Sequence, residues 1–247
     1  IAYEKAGIIK KNVPVITSAS QEEALEVIRK VCDENHSFLI ETKDTRYDKI
    51  SEKLSGYSFK TLILGKEYEN VSISMIGEHQ IENAICALTA LNVLEEIDDL
   101  ELSDERTLYG METAQQKGRF EILSKEPYII LDGAHNPDGA KMLNQTVKAH
   151  FKDKKILMVT GILQDKDVDS IIEYFKDITE DFIVTEPDNP RKMPAEKLAG
   201  LIDTTEYYSN YRDAVKHALE KKNNYDLIIF SGSLYLIGGI RKELIRG

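Results

Sequence analysis

The chain has 247 residues, which at about 150 residues per domain predicts between one and two domains. Its hydrophobic fraction of 42% allows a substantial core, and its 32 basic against 43 acidic residues give a net charge of −11. This acidic balance argues against nonspecific binding to nucleic acid or to an anionic membrane. No apolar run approaches the roughly 20 residues of a membrane span. The cysteines Cys32 and Cys86 match no metal or redox spacing, so we expect a globular protein of the reducing cytoplasm.

Charge is distributed unevenly along the chain. Residues 1–116 carry 12 basic and 22 acidic residues (12 − 22 = −10), whereas residues 117–247 carry 20 and 21 (20 − 21 = −1). The change falls at the polar stretch Thr113–Gly118, which is typical of a linker, and we predict a domain boundary there. The first residue is Ile1 rather than Met, and an element is already in progress there, so we expect the chain to be a segment of a longer protein.

The first half has the pattern of a mixed α/β structure. In chain order we predict a strand at 13–17, a helix at 21–34 capped by Ser20, a strand at 38–41, two β-rich runs within 60–75 split by the polar residues 66–70, a helix at 79–96, and a helix at 104–114 capped by Ser103. No internal repeat or low-complexity tract is visible.

The second half alternates more regularly between strands and helices. Strands are predicted at 128–131, 156–160, 182–185 and 227–230, with a shorter one near 206–208, and helical patterns follow them. Short, continuously apolar strands separated by helices are typical of a mostly parallel sheet that is covered on both faces. We therefore predict a Rossmann-like domain in this half.

The segment Asp132–Pro137 is the strongest candidate for chemistry. It follows a predicted strand, so Asp132 should lie at the carboxyl end of the sheet, where open α/β sheets bind ligands. Asn136 and Pro137 suit the first positions of a helix, which would place His135 beside a helix N-terminus. A capped turn with a surface histidine explains the same residues equally well on this evidence.

Polar residues also follow the other predicted strands of the second half. These are Gly161–Asp167, Glu186–Arg191 and Ser231–Ser233. Since the carboxyl ends of parallel strands share one edge of a sheet, the segments should meet there and form a polar pocket.

Three further residues have both a functional and a structural explanation. Asn83 lies inside a predicted helix, where asparagine usually has a hydrogen-bonding reason, but it could be an exposed polar position. Arg119 follows the predicted linker and could hold a phosphate or carboxylate, or pair with a nearby acid. Lys5 stands next to Glu4 and is most simply a solvated charge.

Six motifs in order give the chain a resemblance to folylpolyglutamate synthase/dihydrofolate synthase, within the Mur ligase superfamily. They are E-K-A-G-I-I-K with V-P-V at 4–15, H-Q-x-x-N-A at 79–84, G-R-F-E at 118–121, L-D-G-A-H-N-P-D at 131–138, G-x-L-x-D-K-D at 161–167 and S-G-S-x-Y at 231–235. The resemblance covers nearly the whole chain. It implies an ATP- and Mg²⁺-dependent ligase that activates a folate or dihydropteroate carboxylate as an acyl phosphate and joins it to L-glutamate.

The resemblance also implies roles for individual residues. Lys5 matches the lysine that becomes N-carboxylated and helps to organise the Mg²⁺ site. Asn83, Arg119 and Asp132 match positions that hold the nucleotide. On the glutamate side, His135 and Ser233 match the region that faces the incoming amino acid, and Arg191 is a candidate clamp for its carboxylate. His135 and Lys5 are the candidate catalytic residues.

One departure from the family is large. The chain contains no G-x-x-x-x-G-K-[ST] sequence, which in the family cradles the phosphates of ATP. The resemblance therefore implies that residues 1–116 are the end of the central ATPase domain and 117–247 the C-terminal domain, with an N-terminal part missing. We predict that this segment alone does not turn over ATP and that its cropped sheet makes it self-associate, whereas the intact enzyme is expected to be a monomer.

Other functions remain open at this point. A Mur-type ligase could act on another acceptor, such as a peptidoglycan precursor, although the G-R-F-E and D-G-A-H-N-P motifs favour folate. A noncatalytic segment that binds a nucleotide or an amino acid is a second alternative. A Rossmann dehydrogenase is disfavoured because no G-x-G-x-x-G follows any strand.

Overall fold

The computed structural model describes residues 2–97 and 100–246. They form two compact units that divide between Gln115 and Gln116, and each is an α/β structure, so the predicted fold class is confirmed. None of the helices in these described ranges has the length and apolar character needed to cross a membrane.

The first unit combines two small sheets with helices. Its elements are α1 (Ala2–Ala6), β1 (Val15–Thr17), α2 (Glu22–Glu34), β2 (Leu39–Glu41), β3 (Tyr47–Lys53), β4 (Gly56–Ile63), β5 (Lys66–Ile73), α3 (His79–Ile97) and α4 (Asp104–Thr113). β1 and β2 pair in parallel, whereas β3, β4 and β5 form an antiparallel sheet in that order. The longest of these helices, α3, buries Ile81, Ile85 and Leu88 and so anchors the unit.

The antiparallel sheet corrects the prediction for residues 60–75. The polar residues 66–70, expected to separate two runs, lie within β5, because Tyr68, Val71 and Ile73 supply its buried positions and two glutamates and an asparagine occupy the exposed ones. The real break is the two-residue turn Leu64–Gly65, in which both residues have positive φ (51° and 84°). This is the geometry of a tight hairpin whose twist matches that of its strands.

Of the two serine caps predicted in the first unit, the position of Ser103 is confirmed and that of Ser20 is wrong. The residue that caps α2 is Gln21 rather than Ser20, and it makes no side-chain cap bond. Ser103 does occupy the cap position of α4, but its hydroxyl caps no backbone N–H. The first-turn acids Glu22 and Asp104 remain as favourable partners of the two helix dipoles.

The second unit is a six-stranded sheet with helices. Its elements are β6 (Glu121–Lys125), β7 (Tyr128–Leu131), α5 (Pro137–His150), β8 (Ile156–Thr160), α6 (Val168–Lys176), β9 (Phe182–Thr185), α7 (Ala195–Ile202), β10 (Tyr207–Tyr208), α8 (Tyr211–Glu220), a 3₁₀ turn (Lys222–Asn224), β11 (Leu227–Ser231) and α9 (Leu234–Arg246). The strand order is β10-β9-β8-β11-β7-β6, and all pairs are parallel except β6–β7.

Helices cover both faces of this sheet. α8 and α9 pack on one face in a core that includes Leu157, Val159 and Phe230. The alternate residues Ile156 and Met158 are also buried, and the neighbouring helices α5, α6 and α7 cover that side. The helices that follow the neighbouring strands β8 and β11, α6 and α9, lie on opposite faces of the sheet, and such a point opens a crevice beyond the carboxyl ends of the strands.

Candidate functional site

Asp132 leaves the carboxyl end of β7 and has both carboxylate oxygens engaged by backbone groups. The N–H of Phe120 donates to Oδ2 at 2.8 Å, and the N–H of Ala134 donates to Oδ1 at 2.8 Å. Burial raises the pKa of the Asp132 carboxyl above its usual 3.8, although these two N–H groups and the charge of Arg119 act in the opposite direction. Each oxygen keeps further acceptor capacity, because an ionised carboxylate has about four acceptor positions.

His135 is held beside the N-terminus of α5. Its Nδ1 lies 2.8 Å from the carbonyl oxygen of Gly133, and since a carbonyl can only accept, Nδ1 carries the proton. In the neutral ring, Nε2 is then an acceptor. The helix itself begins as predicted, with the Asn136 side chain accepting from the N–H of Gly139 at 2.7 Å and Pro137 at the first position.

The turn after β11 lies against the turn after β7. Gly232 has φ +110° and donates its N–H to the carbonyl of Ala134 at 3.0 Å, which joins the two turns. Ser233 is 1% exposed, and its Oγ accepts the N–H of Tyr235 at 3.2 Å at the start of α9. Ser233 therefore caps a helix within this cluster of turns.

The turns after β8 and β9 are joined to each other. The N–H of Gln164 donates to the carbonyl of Arg191 at 2.9 Å, and an Arg191 guanidinium nitrogen lies 2.8 Å from Asp165 Oδ2. Arg191 is thus already paired, and it stands two strands from β11 in the sheet. Glu186 is buried and holds the start of α7 by accepting the N–H of Ala195 at 3.0 Å.

Arg119 projects from the loop that precedes β6. The loop lies against the β7 turn, because the N–H of Gly133 donates to the carbonyl of Gly118 at 2.8 Å. The Arg119 side chain is exposed and makes no hydrogen bond or ion pair with any described residue. The second unit therefore brings Arg119, Asp132, His135 and Ser233 into one cluster of turns, with Arg191 on its far side.

Lys5 and Asn83 belong to the first unit. Lys5 is exposed on α1, and Asn83 is exposed on the first turns of α3, where its Nδ2 donates to Gln80 Oε1 at 3.1 Å. No group of three or more His, Cys, Asp or Glu side chains within residues 2–97 and 100–246 is placed to hold a metal ion.

Several residues of the cluster were given no role from the sequence. Glu121 and Arg241 form an ion pair beside the Arg119 loop, and the second of them lies in a helix with no motif around it. Phe120 has a positive φ of 44°, which no sequence pattern predicts. The buried hydroxyl of Thr160 was not singled out, and Ser231 was noted only as part of the polar segment 231–233. In the structure the two residues are register partners at the ends of neighbouring strands.

Comparison with protein families identifies both units. Residues 118–234 match the model of the Mur ligase glutamate ligase domain, and residues 1–91 match the Mur ligase middle domain. The middle-domain match lies within the first structural unit, and the glutamate-ligase-domain match lies within the second.

Individual relatives and solved structures agree with these family matches. The chain is 34% identical over 249 aligned residues to the dihydrofolate synthase/folylpolyglutamate synthase of Bacillus subtilis, covering 99% of this chain and 57% of that protein. It matches Mycobacterium tuberculosis folylpolyglutamate synthase complexed with ADP and AMPPCP with a TM-score of 0.87 and 26% identity, over 100% of this chain and 59% of that one. Escherichia coli FolC in complex with DHPP and ADP gives a TM-score of 0.83 and 26% identity, over 99% and 56%.

The chain thus spans little more than half the length of these relatives. Within that span the motifs, the two family matches and the fold agree, and the resemblance drawn from the six motifs is confirmed. The chain belongs to the Mur ligase family, and the relatives that it resembles in both sequence and fold are folylpolyglutamate and dihydrofolate synthases.

Proposed function

We propose that this chain is part of an ATP-dependent ligase that adds L-glutamate to a folate or to dihydropteroate. In the first step a carboxylate oxygen of the acceptor attacks the γ-phosphorus of ATP, and the bond from phosphorus to the ADP oxygen breaks. In the second step the glutamate amine attacks the acyl carbon of the acyl phosphate, forming the amide. Inorganic phosphate leaves and the amine loses a proton.

One observation carries the proposal more than any other. The loop of Arg119 and the turns after β7 and β11 are hydrogen-bonded into one cluster at the carboxyl ends of a parallel sheet, in a chain whose solved relatives were complexed with ADP. An unpaired guanidinium and an acceptor-rich carboxylate in one cluster suit a phosphorylated nucleotide.

On the nucleotide side we assign three residues. The exposed guanidinium of Arg119 faces a phosphate, where its fork of donors can bind two oxygens at once. Asp132 uses its unoccupied acceptor positions for a ribose hydroxyl. Asn83, whose carboxamide is exposed on α3, is the third residue that we assign to the nucleotide.

On the amino-acid side we assign the turns that follow β7, β9 and β11. His135, with Nδ1–H bound to Gly133, presents an acceptor nitrogen that suits the glutamate amine as it loses its proton. Ser233 keeps a hydroxyl hydrogen available while its oxygen caps α9. Arg191 would have to exchange Asp165 for the substrate carboxylate, which limits its contribution.

A magnesium ion, when bound, would neutralise charge on the transferred phosphoryl group. Lys5 is the residue of this chain that we assign to it, as N6-carboxylysine, because carbon dioxide converts an exposed amine into the oxygen ligand that Mg²⁺ prefers. Lys5→Ala should lose activity that short carboxylic acids restore. Full activity of Lys5→Ala without any added acid would remove this residue from the proposal.

We assign residues 1–116 to the end of a central ATPase domain and residues 117–247 to the C-terminal domain of this enzyme. The sequence contains no P-loop lysine to cradle phosphates, so the 247-residue chain by itself should not turn over ATP. Both cysteines are free, which suits the reducing cytoplasm, and we expect the complete enzyme to work there as a monomer.

The test is an acceptor-dependent assay on the whole protein encoded by the gene. With ATP, Mg²⁺ and L-glutamate, we expect ADP release and a mass increase of one glutamyl residue on dihydropteroate or tetrahydrofolate, and the 247-residue chain alone should release no ADP. Activity on a peptidoglycan precursor and on neither pterin would identify a different Mur ligase. Absence of ADP release with every acceptor would make the protein a noncatalytic binding module.

A further inference from the structure

Backbone hydrogen bonds fix the loop that carries Arg119 on both of its sides. On the side of the β7 turn, Phe120 donates to Asp132 and Gly133 donates to Gly118, both at 2.8 Å. On the other side, the N–H of Gly118 donates to Glu121 Oε2 at 2.9 Å. The backbone on both sides of Arg119 is therefore tied down, while its side chain is not.

The loop also has an unfavourable backbone conformation. Gly118 and Phe120, on either side of Arg119, have φ values of +74° and +44°. A left-handed conformation at a non-glycine residue costs on the order of 1 kcal/mol and persists only where the surroundings enforce it. Phe120 is 4% exposed and packs near the ring of Phe151, so its side chain is part of what enforces the turn.

Helix α9 supplies the remaining constraint. Arg241 Nε donates to both oxygens of Glu121, at 2.8 Å and 3.1 Å, and both side chains are largely buried. One turn earlier, Ile237 occupies the space where a Cβ on Gly118 would stand, at 2.6 Å from it. Residues 237 and 241 lie four apart and so share one face of α9, which packs on the loop through an apolar contact and an ion pair.

We infer that Arg241 is a positioning residue for the ligase reaction. Its guanidinium holds the Glu121 carboxylate, that carboxylate holds the N–H of Gly118, and the fixed loop presents the unpaired Arg119 to a phosphate of ATP. Arg241 does not touch the nucleotide. The inference rests on the proposed function, because it requires that Arg119 binds the nucleotide.

The arrangement gives α9 two contacts with the site. Its first turn is capped by Ser233, and Arg241 lies two turns further on. A fixed Arg119 loses less conformational freedom on binding than one on a mobile loop, so the benefit of Arg241 should be found in ATP affinity. The rate of the bound complex should change much less.

The experiment is a double-mutant cycle on the whole encoded protein, with KM for ATP and kcat measured separately. We expect R119A and R241A each to raise the KM for ATP about tenfold with little change in kcat. The double variant should be no worse than R119A alone, because Arg241 acts only through Arg119. Arg241→Lys keeps a positive charge but replaces the planar guanidinium with a compact ammonium group. Its KM for ATP should lie between those of the wild type and R241A.

A matched control and a local measurement accompany the cycle. Arg212 of α8 pairs at 3.0 Å with Glu243, which lies on α9 like Arg241, and this pair is exposed. The variant R212A should therefore leave the KM for ATP unchanged. Amide hydrogen exchange at Gly118 should become faster in R241A and in R241K but not in R212A. The R241K variant provides the same readouts if R241A does not fold.

The outcomes separate the inference from the proposed function. If R119A raises the KM and neither Arg241 variant does, the inference is wrong and the proposed function stands. If R119A leaves the KM unchanged, Arg119 does not bind ATP and both the assignment and the inference fail. If the effects of R119A and R241A on the KM for ATP are additive, Arg241 does not act through Arg119 and has only a stabilising role. The same conclusion follows if every variant loses kcat equally and unfolds at a lower temperature.

Discussion

Thr160 and Ser231 are register partners at the carboxyl ends of β8 and β11, and the hydroxyl oxygens of both are buried without a hydrogen-bond partner among the described residues. An unsatisfied buried hydroxyl costs roughly 1–3 kcal/mol of folding free energy. Replacement by a methyl group of similar shape removes that cost. Two such groups lie side by side at the carboxyl ends of neighbouring strands.

Thr160→Val should therefore leave the free energy of unfolding unchanged or raise it by about 1 kcal/mol. The matched control is Thr185→Val at the end of β9, because Thr185 is equally buried but donates to the carbonyl of Tyr208 at 2.8 Å. That control should lose about 1–3 kcal/mol. Urea unfolding of both variants measures the difference. A loss at Thr160 as large as that at Thr185 would show that the Thr160 hydroxyl is bonded to water.

Gly232 should be intolerant of any side chain. It has φ +110°, and a Cβ there would stand 2.6 Å from Thr160 Oγ1 and 2.8 Å from the carbonyl oxygen of Gly161. We expect Gly232→Ala to lower the free energy of unfolding by more than about 2 kcal/mol. Gly200→Ala, in α7 with open space around the new methyl, should instead stabilise the protein by about 0.5–1 kcal/mol. Equal effects at the two positions would contradict the turn geometry.

Asp132 should matter for stability as well as for ATP. In Asp132→Asn one acceptor oxygen becomes a donor nitrogen that faces the N–H of Phe120 or of Ala134, so the free energy of unfolding should fall by about 1–3 kcal/mol. In the whole encoded protein, Asp132→Ala should also raise the KM for ATP more than tenfold, a loss above about 1.4 kcal/mol. Unchanged kinetics with lowered stability would leave Asp132 only its role in fixing the turn.

The Glu186–Lys192 pair predicts a pH dependence of stability. Burial tends to raise the pKa of Glu186, but Lys192 at 2.6 Å and the N–H of Ala195 outweigh it and hold the pKa below its usual 4.5. The folded protein therefore binds this proton more weakly than the unfolded chain. The stabilisation is present above about pH 4.5 and is lost as the pH falls through the lowered pKa of the folded state.

Glu186→Gln should cost about 1.5 kcal/mol of unfolding free energy at pH 7, and the difference from the wild type should shrink below pH 4.5. Urea unfolding between pH 7 and pH 3 measures it. The exposed Glu180, changed to Gln, is the control and should alter stability little at any of these pH values. A Glu186→Gln deficit that stays constant down to pH 3 would exclude the ion pair as its cause.

The central strands of the second unit were predictable because burial on both faces leaves a continuous apolar run in the sequence. β8, β9 and β11 are buried at every position, and their predicted bounds agree with the structure to within one residue. β3 was missed for the opposite reason. Its seven residues, Tyr47–Lys53, are exposed or half-buried and mostly polar, so no apolar periodicity marks a strand. Its pairing with β4 decides its conformation.

The candidate site was predictable where a motif is local and not where it depends on distant partners. The cap formed by Asn136 and the placement of Asp132 at a strand end follow from a few adjacent residues. The ion pair of Glu121 with Arg241 joins positions 120 residues apart, and nothing near Arg241 distinguishes it from any other surface arginine. Positive φ at Phe120 likewise arises from packing that the sequence does not display.

The position of β11 has a consequence for folding during synthesis on the ribosome. It is the last described strand to be synthesised, yet it pairs between β7 and β8 in the middle of the sheet. Until Leu227–Ser231 emerge, these two earlier strands lack the neighbour that joins them, and their open edges are available to other chains. Premature stop codons just before this strand should therefore yield insoluble, rapidly degraded product rather than a slightly shortened protein.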